Sequence, residues 1–407
     1  MKHNPVKMLA TLGQSLWLDY ISRDLITGGG LKRLIVQDGL RGMTSNPSLF
    51  EKALEGAEDY LADISTLARA GSSAMAIYEA LSLSDVRRAA DEFRSVYDRT
   101  DGADGYVSLE VNPHLARDTP GTIKEARRLW RELDRPNVMI KVPGTAQGLP
   151  AIEQLTSDGI NVNVTLLFGL PRYREVAGAF CAGIAARAAK RKPVGRVASV
   201  ASFFLSRIDV SVDPLLEKVI ARGGARAKLA RKAHGQAAIA SAKGAYRIYK
   251  EIFEAAPFQA AAEDGARPQR LLWASTGTKN PRYSDVKYID ALIGPHTVNT
   301  APPKTIDAYR DHGNPKARLE EGIEEADAVL KSLANLGIDL GEVTRQLEDE
   351  GIDKFNEPFD KLLKTLEKER VAAQKTGRPV RSRRTPRRRR ASPQRRGFSQ
   401  GLTPVKW

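Results

Sequence analysis

The amino-acid sequence predicts an α/β fold: a (β/α)8 TIM barrel with additional helices, followed by a disordered basic C-terminal tail. Three observations carry that expectation. Between residues 13 and 303, eight short apolar runs alternate with longer amphipathic ones, the order expected of a parallel sheet wrapped by helices. Polar residues collect at the C-terminal ends of those runs, where a barrel gathers its functional groups. No Gly-x-Gly-x-x-Gly follows an early strand, so the alternative, a doubly wound open sheet, loses its dinucleotide-binding version.

The strands are expected at residues 15–20, 42–46, 106–111, 138–142, 160–167, 197–204, 270–275 and 297–300. Before the first lies an apolar stretch, residues 8–18. It resembles the core of a signal peptide, but Gln14 interrupts it, Asp19 follows and no small-x-small cleavage site is evident, so it reads as the first strand. Helical periodicity marks residues 82–97, 121–133, 148–157, 172–189 and 225–254. Beyond the eighth strand, residues 315–336 and 354–369 read as further helices packed on the barrel.

Composition narrows the class. Of 407 residues, 42% are hydrophobic and 28% charged, ordinary for a globular protein, and no apolar run approaches the roughly 18 residues of a membrane helix. The single cysteine, Cys181, sits among small residues in Gly178-Ala-Phe-Cys-Ala-Gly183 and reads as core, which excludes a disulfide framework and fits a reducing cytoplasm. The net charge of +15 is lopsided: residues 371–407 hold 12 cations and no acid. That segment cannot offset its ordering entropy, so the expected organisation is a barrel over residues 1–370 and an Arg-rich disordered tail over residues 371–407.

Lys141 is the most telling residue. It interrupts the strand-like run Asn137-Val-Met-Ile-Lys-Val-Pro-Gly-Thr145 near its C-terminal end. Burial penalises an ammonium and favours the neutral amine that attacks a carbonyl to form a Schiff base; the bland alternative is a strand-end lysine reaching out to water. Its neighbours favour chemistry. The other strands end in Leu16-Trp-Leu-Asp19, Thr44-Ser-Asn-Pro47 and Val107-Ser-Leu-Glu110, the fifth alternates Asn161, Asn163 and Thr165 on one face, and the sixth carries Ser199, Ser202 and, beyond its end, Arg207. A barrel lumen is normally filled by branched apolar residues, so polar residues repeated from strand to strand point to a site. Taken singly, Asp19 reads equally as a strand-end cap, Glu110 as a surface carboxylate, Asn46 as a turn residue before Pro47 and Thr165 as a common strand former. Histidines 3, 114, 234, 296 and 312 are scattered without ligand spacing, so neither a metal nor another cofactor is implied, and His114 reads as structural.

The segments Thr44-Ser-Asn-Pro-Ser-Leu-Phe50, Val107-Ser-Leu-Glu-Val111, Ile140-Lys-Val-Pro-Gly-Thr145, Gly159-Ile-Asn-Val-Asn-Val-Thr-Leu-Leu-Phe168 and residues 198–207 resemble, in order and spacing, the signature segments of transaldolases. The resemblance runs from about residue 10 to 370, includes Glu350-Gly-Ile-Asp-Lys-Phe-Asn-Glu-Pro-Phe359, and is nearest to the longer bacterial form. It implies that Lys141 is the Schiff-base lysine, that Asp19 moves the proton of the C4 hydroxyl, and that Glu110 and Thr165 handle a water during carbinolamine formation and dehydration. It implies further that Asn46, Asn163 and Ser202 hold the hydroxyls of a three-carbon unit, and that Arg207 binds phosphate. After the seventh strand, Ser275-Thr-Gly-Thr-Lys-Asn-Pro281 departs from the family by offering Lys279 where better-known members place an arginine, with Arg282 as competing candidate.

The expected activity is transfer of a dihydroxyacetone unit between sugar phosphates, with no membrane partner and a homodimer left open. A fructose 6-phosphate aldolase that releases free dihydroxyacetone is the alternative, against which Phe204 speaks, since those aldolases tend to carry a hydroxyl-bearing aromatic there. A third reading, from another class, is weak non-specific polyanion or nucleic-acid binding through residues 371–407; Phe398 and Trp407 are the only aromatics there, so base stacking has little support.

Overall fold

The computed structural model describes residues 4–55 and 58–376. Eight parallel strands, β1 (Gln14–Asp19), β2 (Gly42–Thr44), β3 (Tyr106–Glu110), β4 (Val138–Pro143), β5 (Val162–Leu167), β6 (Ser199–Phe204), β7 (Arg270–Ala274) and β8 (Thr297–Ala301), hydrogen-bond in chain order and close through β1 and β8. This is the barrel the alternation predicted, and every expected strand is present to within two residues at each end.

The N-terminal end of the barrel is closed by a salt-bridged plug. Asp104, buried, accepts from Ser15 Oγ at 2.7 Å, from Arg41 at 3.1 Å and from Arg270 at 3.1 Å, which satisfies a carboxylate that water no longer reaches. Above it the Trp17 indole, fully buried, lies against Gly42. A Cβ at position 42 would stand 2.5 Å from the indole, so only glycine fits.

Four expectations, three of helices and one of a strand, need correction. Residues 225–254 form two helices, Gly224–Ala233 and Ala237–Phe253, because Gly235 adopts φ +70 and ends the first one. Of residues 315–336 only Ile323–Asn335 is helical; Arg318 and Leu319 instead donate their backbone amides to Ile293 O, and the helix starts after Gly322 at φ +61. The stretch at residues 8–18 splits into a helix, Pro5–Thr11, and β1: Asn4 caps the helix and Pro5 supplies its first turn. Residues 354–369 belong to one helix of 37 residues, Leu340–Thr376, which continues through Pro358 and past residue 370. The tail expected to be disordered lies, beyond Thr376, outside the described residues.

That last helix matters most for the site. It packs on the Pro47–Leu54, Glu58–Arg69 and Ala74–Arg99 helices and reaches β5. Gly351 sets the approach: a Cβ there would lie 2.9 Å from the Leu166 side chain. Leu166 itself sits in a β-bulge, with Thr165 and Leu166 of β5 opposite Ser202 of β6, and takes φ +61, a strained value for a leucine. Bulges of this kind cluster beside functional sites.

Gly42→Ala is expected to destabilise the barrel by about 1–3 kcal/mol through overpacking against Trp17, read as a lower urea midpoint at unchanged slope.

Candidate active site

Parallel pairing aligns the site. Glu110 of β3 is register partner of Lys141 of β4, which in turn is register partner of Asn163 of β5, so three polar side chains lie side by side across the lumen. Lys141 is 4% exposed; its Nζ donates to Glu110 Oε2 at 3.2 Å and to the Ser45 carbonyl at 3.3 Å. From the Leu340–Thr376 helix, Phe355 places its ring 5.2 Å from that Nζ. Asn163 donates to Ser108 Oγ at 3.0 Å and accepts from Ser202 Oγ at 2.7 Å, which orients its amide. Asp19 accepts from Thr44 Oγ1 at 2.9 Å, and Thr44 is linked in turn to Thr300 at 2.7 Å.

Above this layer opens a cavity of about 810 Å³. Asp19, Asn46, Lys141, Ser202, Phe204, Arg207 and Lys279 line it, whereas Glu110, Asn163 and Thr165 are buried behind its wall. Asn46 also caps the Pro47–Leu54 helix, where its Oδ1 accepts from Leu49 N at 3.0 Å, leaving the amide NH2 for the cavity. Two buried oxygens near the lysine, Glu110 Oε1 and Thr165 Oγ1, have no hydrogen-bond partner among the described residues. Desolvated oxygens of this kind are costly unless a water or a substrate reaches them.

The electrostatics are unequal. Burial, reinforced by the Asp19 charge, pushes the Glu110 carboxyl up to about 7, with Lys141 opposing. Burial also raises Asp19, opposed by Lys141 and the Thr44 hydrogen bond and more weakly by Lys279 and Lys52. Desolvation lowers the Arg207 pKa, with Glu350 acting the other way.

The Transaldolase/Fructose-6-phosphate aldolase family model matches residues 16–366. The chain belongs to this family. Similar proteins named Transaldolase include one from Trichodesmium erythraeum (strain IMS101), 48% identical over 90% of this chain and 98% of its own. Another, from Thiobacillus denitrificans (strain ATCC 25259 / T1), is 48% identical over 88% of this chain and 99% of its own. A third, from Saccharopolyspora erythraea, is 45% identical over 89% and 96%.

The loop after β7, where this family member departs from the expected pattern, separates its two candidate cations. Lys279 is exposed on the cavity wall. Arg282 lies outside that cavity, in a neighbouring recess of about 230 Å³ that Lys279 also lines, and donates to Glu217 at 3.0 Å. The loop is anchored from beneath: Tyr283 OH donates to Asp213 at 2.5 Å, and Lys287 donates to the buried Asp209 at 2.8 Å. Both aspartates belong to the Ser206–Ala221 helix that carries Arg207, so one helix bears that arginine and anchors the segment that follows Lys279 and Arg282. His114, expected to be structural, pairs with Asp360 of the long helix at 2.8 Å.

Sequence reasoning missed Thr44 and Phe355 as site residues, and Lys52, Lys304 and Lys354 as cavity cations. Thr44 and Phe355 both lie inside family-like segments, so the signal was present without a role attached; the three lysines look in sequence like any solvated helix residue.

Carbon-detected NMR titration of Glu110 is expected to give a midpoint near 7. Lys141→Met removes the opposing cation and moves the midpoint up, and Asp19→Asn removes a like charge and moves it down.

Proposed function

We propose that this chain is a transaldolase, an enzyme of the non-oxidative pentose phosphate pathway acting in the cytoplasm on sugar phosphates. It moves a dihydroxyacetone unit from sedoheptulose 7-phosphate or fructose 6-phosphate to glyceraldehyde 3-phosphate or erythrose 4-phosphate. One observation carries the mechanism: a lysine 4% exposed, with its Nζ 3.2 Å from Glu110, opens onto a cavity whose wall also presents Asp19.

In this reading the neutral Lys141 amine attacks the C2 ketone, and its proton passes through Glu110. Glu110, raised to about 7, is suited to return that proton as the carbinolamine loses water. The unpartnered Glu110 Oε1 and Thr165 Oγ1 are the groups to hold that water. The iminium at C2 then accepts the electron pair of the C3–C4 bond as Asp19 takes the proton from the C4 hydroxyl, releasing the aldose phosphate. Reversal with an acceptor aldehyde completes the transfer. Asn46, Asn163 and Ser202 supply neutral donors and acceptors to the three-carbon unit. Arg207 offers phosphate a bidentate fork and Lys279 a point charge. Arg282, engaged with Glu217, is the weaker candidate.

Release of free dihydroxyacetone is the less favoured reading. Phe204 on the cavity wall brings no hydroxyl to activate water, and the similar proteins at 44–48% identity carry the name Transaldolase. Polyanion binding through residues 371–407 and a homodimer are separate proposals, tested by salt-dependent retention on heparin and by sedimentation. Among the described residues, no helix is long and apolar enough to cross a membrane.

Borohydride added with fructose 6-phosphate is expected to label Lys141, and turnover is expected to depend on an acceptor aldehyde; absence of the label sinks the mechanism. Asp19→Asn lowers kcat by about 10²–10⁴-fold. The productive Lys141 and Glu110 pair shares one proton, and below the Glu110 pKa it carries two, so kcat/KM rises with pH through about 7 and Glu110→Gln removes that limb. Arg207→Ala raises KM for the phosphorylated acceptor by about 10–100-fold, the worth of a charged hydrogen bond.

A further inference from the structure

Phe355 reaches the reactive nitrogen from outside the barrel strands and their loops: its ring lies 5.2 Å from Lys141 Nζ, and it is itself only 6% exposed. Its place is held on both sides. One turn earlier, Gly351 seats the helix against Leu166 and Phe168. One turn later, Phe359, fully buried, meets the Tyr78 ring edge-on at 5.3 Å and His114 at 6.1 Å. These contacts hold the stretch of helix that carries the ring over the lysine.

We propose that Phe355 determines reaction specificity, shielding the lysine-bound three-carbon intermediate from hydrolysis so that it survives until an acceptor aldehyde arrives. The inference rests on the transaldolase reading and deepens it. After the first aldose phosphate leaves, the bound unit is an enamine. In the competing reaction the proton carried by Asp19 adds to C3, giving the iminium. Water then adds at C2 and the C2–Nζ bond breaks: oxygen stays with the ketone, both water protons end on nitrogen, and free dihydroxyacetone and the Lys141 ammonium result. No oxidant or reductant is involved. The aromatic face opposes this loss in two ways. Its apolar surface occupies the space from which water would approach the nitrogen, and its π-density stabilises the iminium cation, whose charge is lost as water adds, so that the addition is slowed.

The strand residues that partner Lys141 and Asn163 do not supply this shield, because Ser202, Asn163 and Glu110 all present groups that hold water or hydroxyls. Helix and barrel therefore divide the work: the strands make the imine and the helix preserves it.

The test compares full-length wild type, Phe355→Ala and Phe355→Leu with fructose 6-phosphate and erythrose 4-phosphate, counting free dihydroxyacetone against sedoheptulose 7-phosphate by proton NMR. Phe355→Ala is expected to raise the ratio of release to transfer by about tenfold. Phe355→Leu, which keeps the packing and loses the aromatic face, is expected to fall between, and decides the matter alone if circular dichroism finds the alanine variant unfolded. An unchanged ratio in the folded variants, with borohydride labelling of Lys141 intact, overturns the role of Phe355. Failure of labelling in the wild type overturns the transaldolase reading itself, a distinct outcome.

Discussion

The structure turns on a buried ion pair. Lys141 and Glu110, 5% exposed or less, face each other at 3.2 Å where water does not compete. Desolvating two charges costs more than their attraction returns unless further hydrogen bonds help, and here they help only partly: Lys141 reaches the Ser45 carbonyl, but Glu110 Oε1 has no partner among the described residues. Glu110 therefore titrates near neutrality instead of in the usual carboxylate range. A site held at this cost of stability is available for moving protons, and the surrounding strands serve to keep the pair dry and in register.

Everything else at the site answers to that pair. The β5 bulge sets Thr165 and Leu166 against Ser202, and the strained Leu166 is where the Leu340–Thr376 helix comes down on the barrel through Gly351. Asp209 and Asp213 tie the segment after β7 to the helix bearing Arg207, so the loop that carries Lys279 is anchored by buried carboxylates. The floor carries the buried Lys141, while the wall above it carries the cations Arg207 and Lys279. That arrangement suits a ligand with a reactive carbonyl at one end and a phosphate at the other.

Much was legible before any fold was known. Eight strands and the polar residues on them follow from short apolar runs that alternate with longer amphipathic ones and carry Asp19, Glu110, Lys141 and Thr165, because a strand buried on both faces has little reason to carry polar side chains except at a site. Helix ends were read less well. Gly235 and Gly322 break or begin helices through positive φ, a choice that depends on what packs nearby, and Pro358 does not break the last helix because its neighbours hold it in place. Asn46 was legible both as a turn residue and as a ligand, and its geometry accommodates both.

By itself the sequence determined the barrel, the strand carrying each polar group and the family, since these depend on local periodicity and on the order of short segments along the chain. Only the tertiary structure decided that Lys279 and not Arg282 faces the cavity, that Glu110 and Thr165 sit behind its wall with unpartnered oxygens, and that Phe355 closes over Lys141 from some 214 positions further along. Those outcomes depend on contacts between residues far apart in the chain, whose strength is set by burial and direction, and neither quantity exists until the barrel has closed.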